Sequence, residues 1–277
     1  MTQPDRYAVF GHPIGHSQSP RIHTLFAAET GQNMSYAARD VPAETFDFEV
    51  RRFFSEGGRG LNCTVPLKEQ AFRFADTLSE RARRAGAVNT LARQGDDTIL
   101  GDNTDGVGLV RDLTANLGLS LTDSRILVLG AGGATRGILA PILEHHPSLL
   151  TLANRTESKA IQLATEFSDL GPVAGGGFGD LAGKRYDLIL NATAASLSGD
   201  VPELPSGILA AGGSCYDLAY GKQPTAFVLW GNAAGAVISA DGMGMLVEQA
   251  AEAFLLWRNV RPDAQAVIRI LNEARGL

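Results

Sequence analysis

Short apolar runs with the period of a buried strand alternate with apolar residues at helical spacing along most of the chain. Tyr7 to Phe10 reads as a short buried strand. Ser19-Pro20 then opens a helix, with Ser as N-cap and Pro at the first helical position. Ile22, Leu25 and Phe26 give that helix one apolar face, and Gly31 stops it. Ser35 to Arg39 is a second strand, and Phe46, Val50, Phe53 and Phe54 lie on one side of a second helix. Gly60 to Val65 is a third strand. A short helix follows Lys68, and another runs from Ser79 to Ala85. Val88 to Ala92 and Thr98 to Gly101 flank Gln94-Gly95-Asp96-Asp97 as a hairpin.

Gly106 to Leu117 reads as a helix leading out of this unit. The pattern then restarts with a strand over Arg125 to Leu129, a glycine-rich turn, a helix to about Glu144 and a strand over Leu149 to Ala153. That is a complete βαβ unit. Helix Ser158 to Phe167 and strands Asp187 to Asn191, Ser214 to Leu218 and Ala236 to Ser239 continue it. Gly242 to Trp257 is a long amphipathic helix ending near Pro262, expected to cross back and pack on the first domain. The fold class is therefore α/β, with two domains.

Composition narrows the function. Net charge is −6, against a nucleic-acid partner. Cys63 and Cys215 are the only cysteines and neither has a CxxC neighbour, so a disulfide framework or zinc cluster is not expected. His12, His16 and His23 lack the spacing of a metal site. The longest apolar run lies within Ala226 to Ala240 and is broken by glycine and Asn232, too short and polar to span a membrane. A cytoplasmic location is the default reading. Glycine is over-represented, with 32 of 277 residues against a usual share of about 7%.

Some of that glycine forms Gly130-Ala131-Gly132-Gly133-Ala134, between a strand and a helix. A dinucleotide pyrophosphate docks at such a turn, because glycine lets the backbone approach and the helix start offers N–H groups, and a glycine-rich turn with no ligand is the plain alternative. Thr135 departs from GxGxxG by occupying the third glycine position. An NAD site places a carboxylate at the end of the next strand. Here the chain reads Asn154-Arg155-Thr156-Glu157-Ser158-Lys159, with an arginine in that region. A guanidinium pairs with a 2′-phosphate, so NADP is favoured over NAD. A solvated Arg and Lys at a helix start are compatible with the same residues.

Four polar clusters in the first domain sit at strand ends: His16-Ser17-Gln18-Ser19-Pro20, Asn62 to Lys68, Ala87 to Thr90, and Asp102 to Gly106. Open α/β sheets place ligands there. Their hydroxyls, amides, amine and carboxylate suit a small hydroxylated acid. Singly, Ser19 reads as an N-cap, Asn89 as a turn residue and Asp105 as a helix cap. Lys68 and Asp105 are the pair chosen for chemistry. Ketone reduction needs a proton at the developing alkoxide, which a lysine can deliver while an aspartate orients it. A surface lysine at a helix start is the plain alternative.

Taken together, the motifs resemble the shikimate dehydrogenase family over nearly the whole chain. The residues concerned are Gly11-His12-Pro13-Ile14-x-His16-Ser17-x-Ser19-Pro20, Asn62-x-Thr64-x-Pro66-x-Lys68, Gly86 to Thr90, Asn103 to Gly106, Gly130 to Ala134, Asn154-Arg155-Thr156, Tyr216-Asp217-Leu218-x-Tyr220, and Asp241-Gly242-x-Gly244-Met245-Leu246-x-x-Gln249. The resemblance implies reversible, NADPH-dependent reduction of 3-dehydroshikimate to shikimate, in aromatic amino-acid biosynthesis. It implies that Ser17 and Ser19 bind the substrate carboxylate and that Thr64, Asn89, Tyr220 and Gln249 hold the ring, with Lys68 and Asp105 catalytic. It places NADP on Gly130, Ala131, Gly132, Gly133, Ala134, Asn154, Arg155, Thr156, Lys159, Leu218 and Gly242, with Glu80 near the nicotinamide.

Three departures stand out. Thr24 replaces a usual Asn and Cys63 a usual Val. Asn191 to Leu197 keeps Asn-Ala-Thr but loses the following Ser and Gly, in a loop beside the cofactor. The expected organisation is a substrate-binding domain of residues 1–105 and 242–277 and a Rossmann-type NADP-binding domain of residues 106–241, with the active site in the cleft between them. Partners are a small-molecule substrate and no nucleic acid or membrane, in a monomer or homodimer. A quinate/shikimate dehydrogenase of relaxed substrate or cofactor choice and a non-catalytic ligand-sensing homologue are the alternatives. A methylenetetrahydrofolate dehydrogenase is a more distant one, which the serine pair and Asn-Thr-Asp fit less well.

Overall fold

The computed structural model describes residues 3–193, 195 and 199–276. Ala194, Ser196 and Leu197 of the altered loop lie outside the described residues. The chain divides into one unit of Met1–Gly108 and Val247–Ala274 and another of Leu109–Leu246 and Arg275–Leu277.

The first unit runs β1 (Asp5–Gly11), α1 (Ser19–Thr30), β2 (Met34–Asp40), α2 (Phe46–Ser55), β3 (Gly58–Cys63), α3 (Lys68–Phe74), β4 (Thr77–Leu78), α4 (Glu80–Ala85), β5 (Thr90–Arg93) and β6 (Ile99–Asp102). Among the described residues these strands form a six-stranded sheet in the order β2-β1-β3-β5-β6-β4. β1 is parallel to β2 and β3, whereas β5 is antiparallel to β3 and β6. Side chains alternate across a strand. Ala8 and Phe10 therefore join Phe46, Val50 and Phe53 of α2 on one face. Tyr7 faces the other way, with its ring 4.8 Å from that of Trp257. β3 ends before Pro66, which has no N–H to give a ladder, and Val65 is exposed rather than in the strand.

α5 (Asp105–Arg111) leaves this unit and continues as a π-helical stretch over Asp112–Asn116. The second unit runs β7 (Arg125–Leu129), α6 (Gly133–Leu143), β8 (Leu149–Ala153), α7 (Glu157–Glu166), β9 (Val173–Gly176), β10 (Tyr186–Asn191), β11 (Leu209–Asp217), α8 (Ala226–Ala233) and β12 (Ser239–Asp241). Its six described strands are parallel, in the order β12-β11-β10-β7-β8-β9. Ile126 and Val128 pack with Ile138, Leu139 and Ile142 of α6. Leu127 and Leu129 pack with Ile189, Cys215 and Phe227 on the opposite face. Burial on both faces explains why β7 reads as an unbroken apolar run.

α9 (Met243–Arg258) and α10 (Ala264–Glu273) follow, and from Val247 to Ala274 they belong to the first unit. The last residues cluster with the second unit, where the Arg275 guanidinium lies on the Asp241 carboxylate. Among the described residues no helix is long and apolar enough to cross a membrane.

Candidate active site

Lys68 and Asp105 are the first residues of α3 and α5. Lys68 Nζ donates to Asp105 Oδ2 at 2.5 Å. The other carboxylate oxygen, Oδ1, accepts from Asn89 Nδ2 at 2.8 Å. Asn89 cannot turn its amide round without cost. Its Oδ1 already accepts the Thr104 N–H and the Thr90 hydroxyl, each at 2.9 Å, so the donor end faces Asp105. The same Nδ2 reaches Gln249 Oε1 on α9 at 3.3 Å. Behind Asn89, Asn62 Nδ2 donates to Thr90 Oγ1 at 3.0 Å, and Tyr36 donates to Asn62 Oδ1 at 2.6 Å. Asn89 is 3% exposed, but the Lys68 and Asp105 side chains keep 31% and 17% exposure. The supporting amide is thus dry while the charged pair stays open to a ligand.

Ser17 is half-buried and its hydroxyl accepts the Ser19 N–H at 3.3 Å. This corrects the N-cap reading of Ser19: Gln18 precedes the helix, Ser19 lies inside it, and no side chain caps it. Thr64 is half-buried in the loop after β3, its N–H on the Phe10 carbonyl at 2.9 Å. Tyr220 lies in the second unit, half-buried, where burial and the Asp241 charge raise its pKa.

Asp102, three residues before Asp105, belongs to the same polar cluster, but nothing in the sequence gives it a role of its own. It is 3% exposed and accepts from Ser79 Oγ at 2.5 Å, Arg81 Nε at 2.7 Å and the Asn103 N–H at 2.8 Å. Burial alone would raise its pKa, but Arg81 and these donors outweigh that and hold it below the usual carboxylate value. Nothing local in the sequence signals this pair, whose members are 21 residues apart, and Arg81 also reaches Glu252, 171 residues away.

In the second unit the glycine turn lies at the carboxyl end of β7. There the strand order reverses between β7 and β10, the position where doubly wound sheets bind nucleotides. Gly130 has φ +107° and lies so close to the backbone just after β10 that a Cβ would stand 3.1 Å from the Ala192 carbonyl oxygen. Only glycine meets both demands readily. Thr135 is fully buried and its hydroxyl donates to the Gly130 carbonyl at 3.0 Å, which accounts for a threonine at the third glycine position. Gly132, Gly133 and Ala134 are exposed, and Ala131 is half-buried. Among the described residues, nothing beyond the local backbone stands within 4 Å of where a Cβ on Gly132 or Gly133 would be, and no side chain caps the first amides of α6. This open cradle fits a pyrophosphate.

At the end of β8, Asn154 Nδ2 donates to the Thr156 carbonyl at 2.9 Å and closes the turn. Arg155, Thr156 and Lys159 are exposed around the start of α7. Leu218 and Gly242 meet backbone to backbone, a Cβ on Gly242 falling 2.2 Å from the Leu218 carbonyl oxygen. Glu80 is in the first unit instead, on α4, paired with Arg83 at 3.5 Å and Arg84 at 3.7 Å.

The chain matches family models over three stretches. Residues 9–91 match the shikimate dehydrogenase substrate binding domain, residues 112–197 shikimate / quinate 5-dehydrogenase, and residues 242–271 the shikimate 5'-dehydrogenase C-terminal domain. A shikimate dehydrogenase (NADP(+)) of Methylococcus capsulatus is 66% identical over 275 residues, 99% of each chain. The crystal structure of an Ael1 enzyme from Pseudomonas putida superposes with a TM-score of 0.90 at 47% identity, covering 96% of this chain and 98% of that one. Shikimate 5-dehydrogenase of Thermus thermophilus, solved with NADP(H) and shikimate, gives 0.86 at 35% identity over 98% and 99%. With likeness at this level running from end to end, the chain belongs to the shikimate dehydrogenase family.

Proposed function

We propose that Lys68 and Asp105 carry out proton transfer in the NADP-dependent reduction of 3-dehydroshikimate to shikimate, the reaction this family membership gives the chain. The hydrogen-bonded cluster of Lys68, Asp105, Asn89 and Gln249 is the observation that supports this assignment. NADPH, when bound, supplies the hydride to the carbonyl carbon and, as NADP⁺, takes it back in the reverse direction. Lys68 donates a proton to the carbonyl oxygen as negative charge develops there. Asp105 holds the ammonium in place and accepts from a neighbouring substrate hydroxyl. Asn89 and Gln249 orient the ring hydroxyls, with Thr64 and Tyr220, while Ser17 and Ser19 bind the carboxylate.

Gly130 to Ala134 hold the pyrophosphate in the open cradle at the start of α6, and Leu218 and Gly242 line the nicotinamide side. Glu80 is assigned as a further residue for the nicotinamide. Arg155, with Asn154, Thr156 and Lys159, reads the 2′-phosphate. The NADP(+) names of the relatives do not favour the quinate, NAD or non-catalytic alternatives.

Shikimate-dependent reduction of NADP⁺, followed by NADPH absorbance with quinate and NAD⁺ as controls, tests the function. Turnover of shikimate with NADP⁺ well above the other three pairings is expected, and ligand binding without turnover would refute it. Losing a charge-assisted phosphate contact costs about 1.5–3 kcal/mol, or about 10- to 150-fold. Arg155→Ala should therefore raise the KM for NADP⁺ by that factor and leave the KM for NAD⁺ nearly unchanged. Equal changes for both cofactors would remove Arg155 from the 2′-phosphate site.

A further inference from the structure

We propose that Arg81 is a positioning residue for the reaction, a guanidinium clamp that sets Asp105 and Gln249 in register. The inference rests on the assignment of Lys68, Asp105, Asn89 and Gln249 to the substrate site.

Arg81 lies on α4 with 27% of its side chain exposed. Two of its nitrogens form a fork on the Asp102 carboxylate, Nε to Oδ1 at 2.7 Å and Nη2 to Oδ2 at 2.5 Å. The third, Nη1, donates to Glu252 Oε1 on α9 at 3.1 Å. One planar group therefore ties the end of β6 to α9.

Each arm leads to a site residue. From Asp102, three successive backbone amides are held by side-chain oxygens. The Asn103 N–H goes to Asp102 Oδ1 at 2.8 Å, the Thr104 N–H to Asn89 Oδ1 at 2.9 Å, and the Asp105 N–H to Asn103 Oδ1 at 3.1 Å. Asn103 Nδ2 anchors this turn to the Ala87 carbonyl at 3.0 Å. The turn that presents Asp105 is thus built on a buried carboxylate whose charge Arg81 balances. On the other arm, Glu252 lies three residues after Gln249, so the two share a face of α9. Arg261 holds the same face from outside, at 2.7 Å from Glu252 and 2.8 Å from Glu248.

Removing one partner of a buried pair leaves the other charge uncompensated, so the turn must shift or admit water. A lysine carries the charge but lacks the fork that spans both carboxylates. Asp105 and Gln249 would then lose their spacing while the dinucleotide site, in the other unit, stays as it is.

Steady-state kinetics on the full chain test this. Arg81→Met is expected to lower kcat about 10- to 100-fold and raise the KM for shikimate several-fold, with the KM for NADP⁺ within twofold of wild type. Arg81→Lys should recover the thermal midpoint but less than a tenth of the lost rate. Glu252→Gln leaves the Arg81–Asp102 fork intact and serves as the fold-safe variant, expected to raise the KM for shikimate about threefold with kcat kept. Folded Arg81→Met or Arg81→Lys with wild-type kcat overturns the proposal. So does a kcat loss in which the KM for shikimate stays unchanged and the thermal midpoint falls, the pattern of a smaller folded fraction. An unmoved KM in Glu252→Gln overturns the α9 arm. Lys68→Ala is the control: retained activity there would mean that the site assignment, and not the clamp, has failed.

Discussion

Lys68→Ala is expected to lower kcat for shikimate oxidation and for the reverse reduction by about 10²–10⁴, with little change in the KM for shikimate. The reason lies in when the ammonium matters. A neutral carbonyl or hydroxyl gains modestly from a nearby cation in the ground state. The oxygen becomes strongly charged only as hydride moves, so most of the lysine's contribution is confined to the transition state. The geometry supports a group held for that purpose: Nζ is 2.5 Å from Asp105, and Asp105 is held from its other oxygen by a buried amide. Pre-orientation means that little reorganisation is needed when charge appears. Asp105→Asn should lower kcat too but also raise the KM, because it removes a partner of the substrate hydroxyl as well as of Lys68. Single-turnover hydride transfer with a deuterated cofactor separates chemistry from product release. Wild-type turnover in Lys68→Ala would remove Lys68 from the mechanism.

The strand–turn–helix unit around Gly130 was the most readable part of the chain. β7 and β8 fall on the residues the apolar pattern predicts, Arg125–Leu129 and Leu149–Ala153, because strands buried on both faces read as uninterrupted apolar runs. The reading fails where the pattern carries no period. Gly175 and Gly176 carry no apolar pattern, yet they lie in β9. A Cβ on Gly175 would stand 2.2 Å from the Ala160 carbonyl oxygen, so the glycine is there to let α7 lie against the strand. The apolar run from Ala226, too short to span a membrane, opens with the helix α8, capped by the Thr225 hydroxyl on the Val228 N–H. α10 follows Pro262, beyond the last element the pattern predicts, and Asp263 caps it on the Ala266 N–H.

The candidate site divides in the same way. Lys68, Asn89 and Asp105 sit at the ends or starts of elements, and topology-based reasoning finds such positions. Asp102 ends β6 and Arg81 lies at the start of α4, yet their pairing does not stand out, because it depends on a sheet register and a helix contact that bring separate segments together. Asp112 is a similar case: it accepts the Tyr216 hydroxyl at 2.7 Å, across 104 residues. Long-range polar pairs have no period in sequence, so only the folded chain displays them.

His23 shows what such a hidden environment does to stability, and acidification is the expected readout. The ring is fully buried, stacked on Tyr36 with centroids 4.1 Å apart and walled by Phe26, Phe254 and Trp257. Neither ring nitrogen makes a hydrogen bond of normal geometry, although Asn62 lies close enough to oppose the effect of burial in part. Burial disfavours the imidazolium and pushes the pKa from 6.5 down to about 3. In the unfolded chain His23 takes up a proton as pH falls through about 6.5, whereas in the folded chain it does so only near 3. The unfolded state therefore binds more protons across that window, and stability falls as pH falls. At 1.36 kcal/mol per pKa unit the loss attributable to His23 is about 2 kcal/mol at pH 5 and about 4–5 kcal/mol near pH 3. Urea unfolding of the first unit can be followed by Trp257 fluorescence in a Trp230→Phe background, since Trp230 lies in the other unit. His23→Phe keeps the aromatic stack and cannot titrate. The drop in unfolding free energy between pH 7 and pH 5 should shrink by about 2 kcal/mol relative to the parent. An identical drop in both proteins would show that His23 is not the group whose protonation the folded state resists.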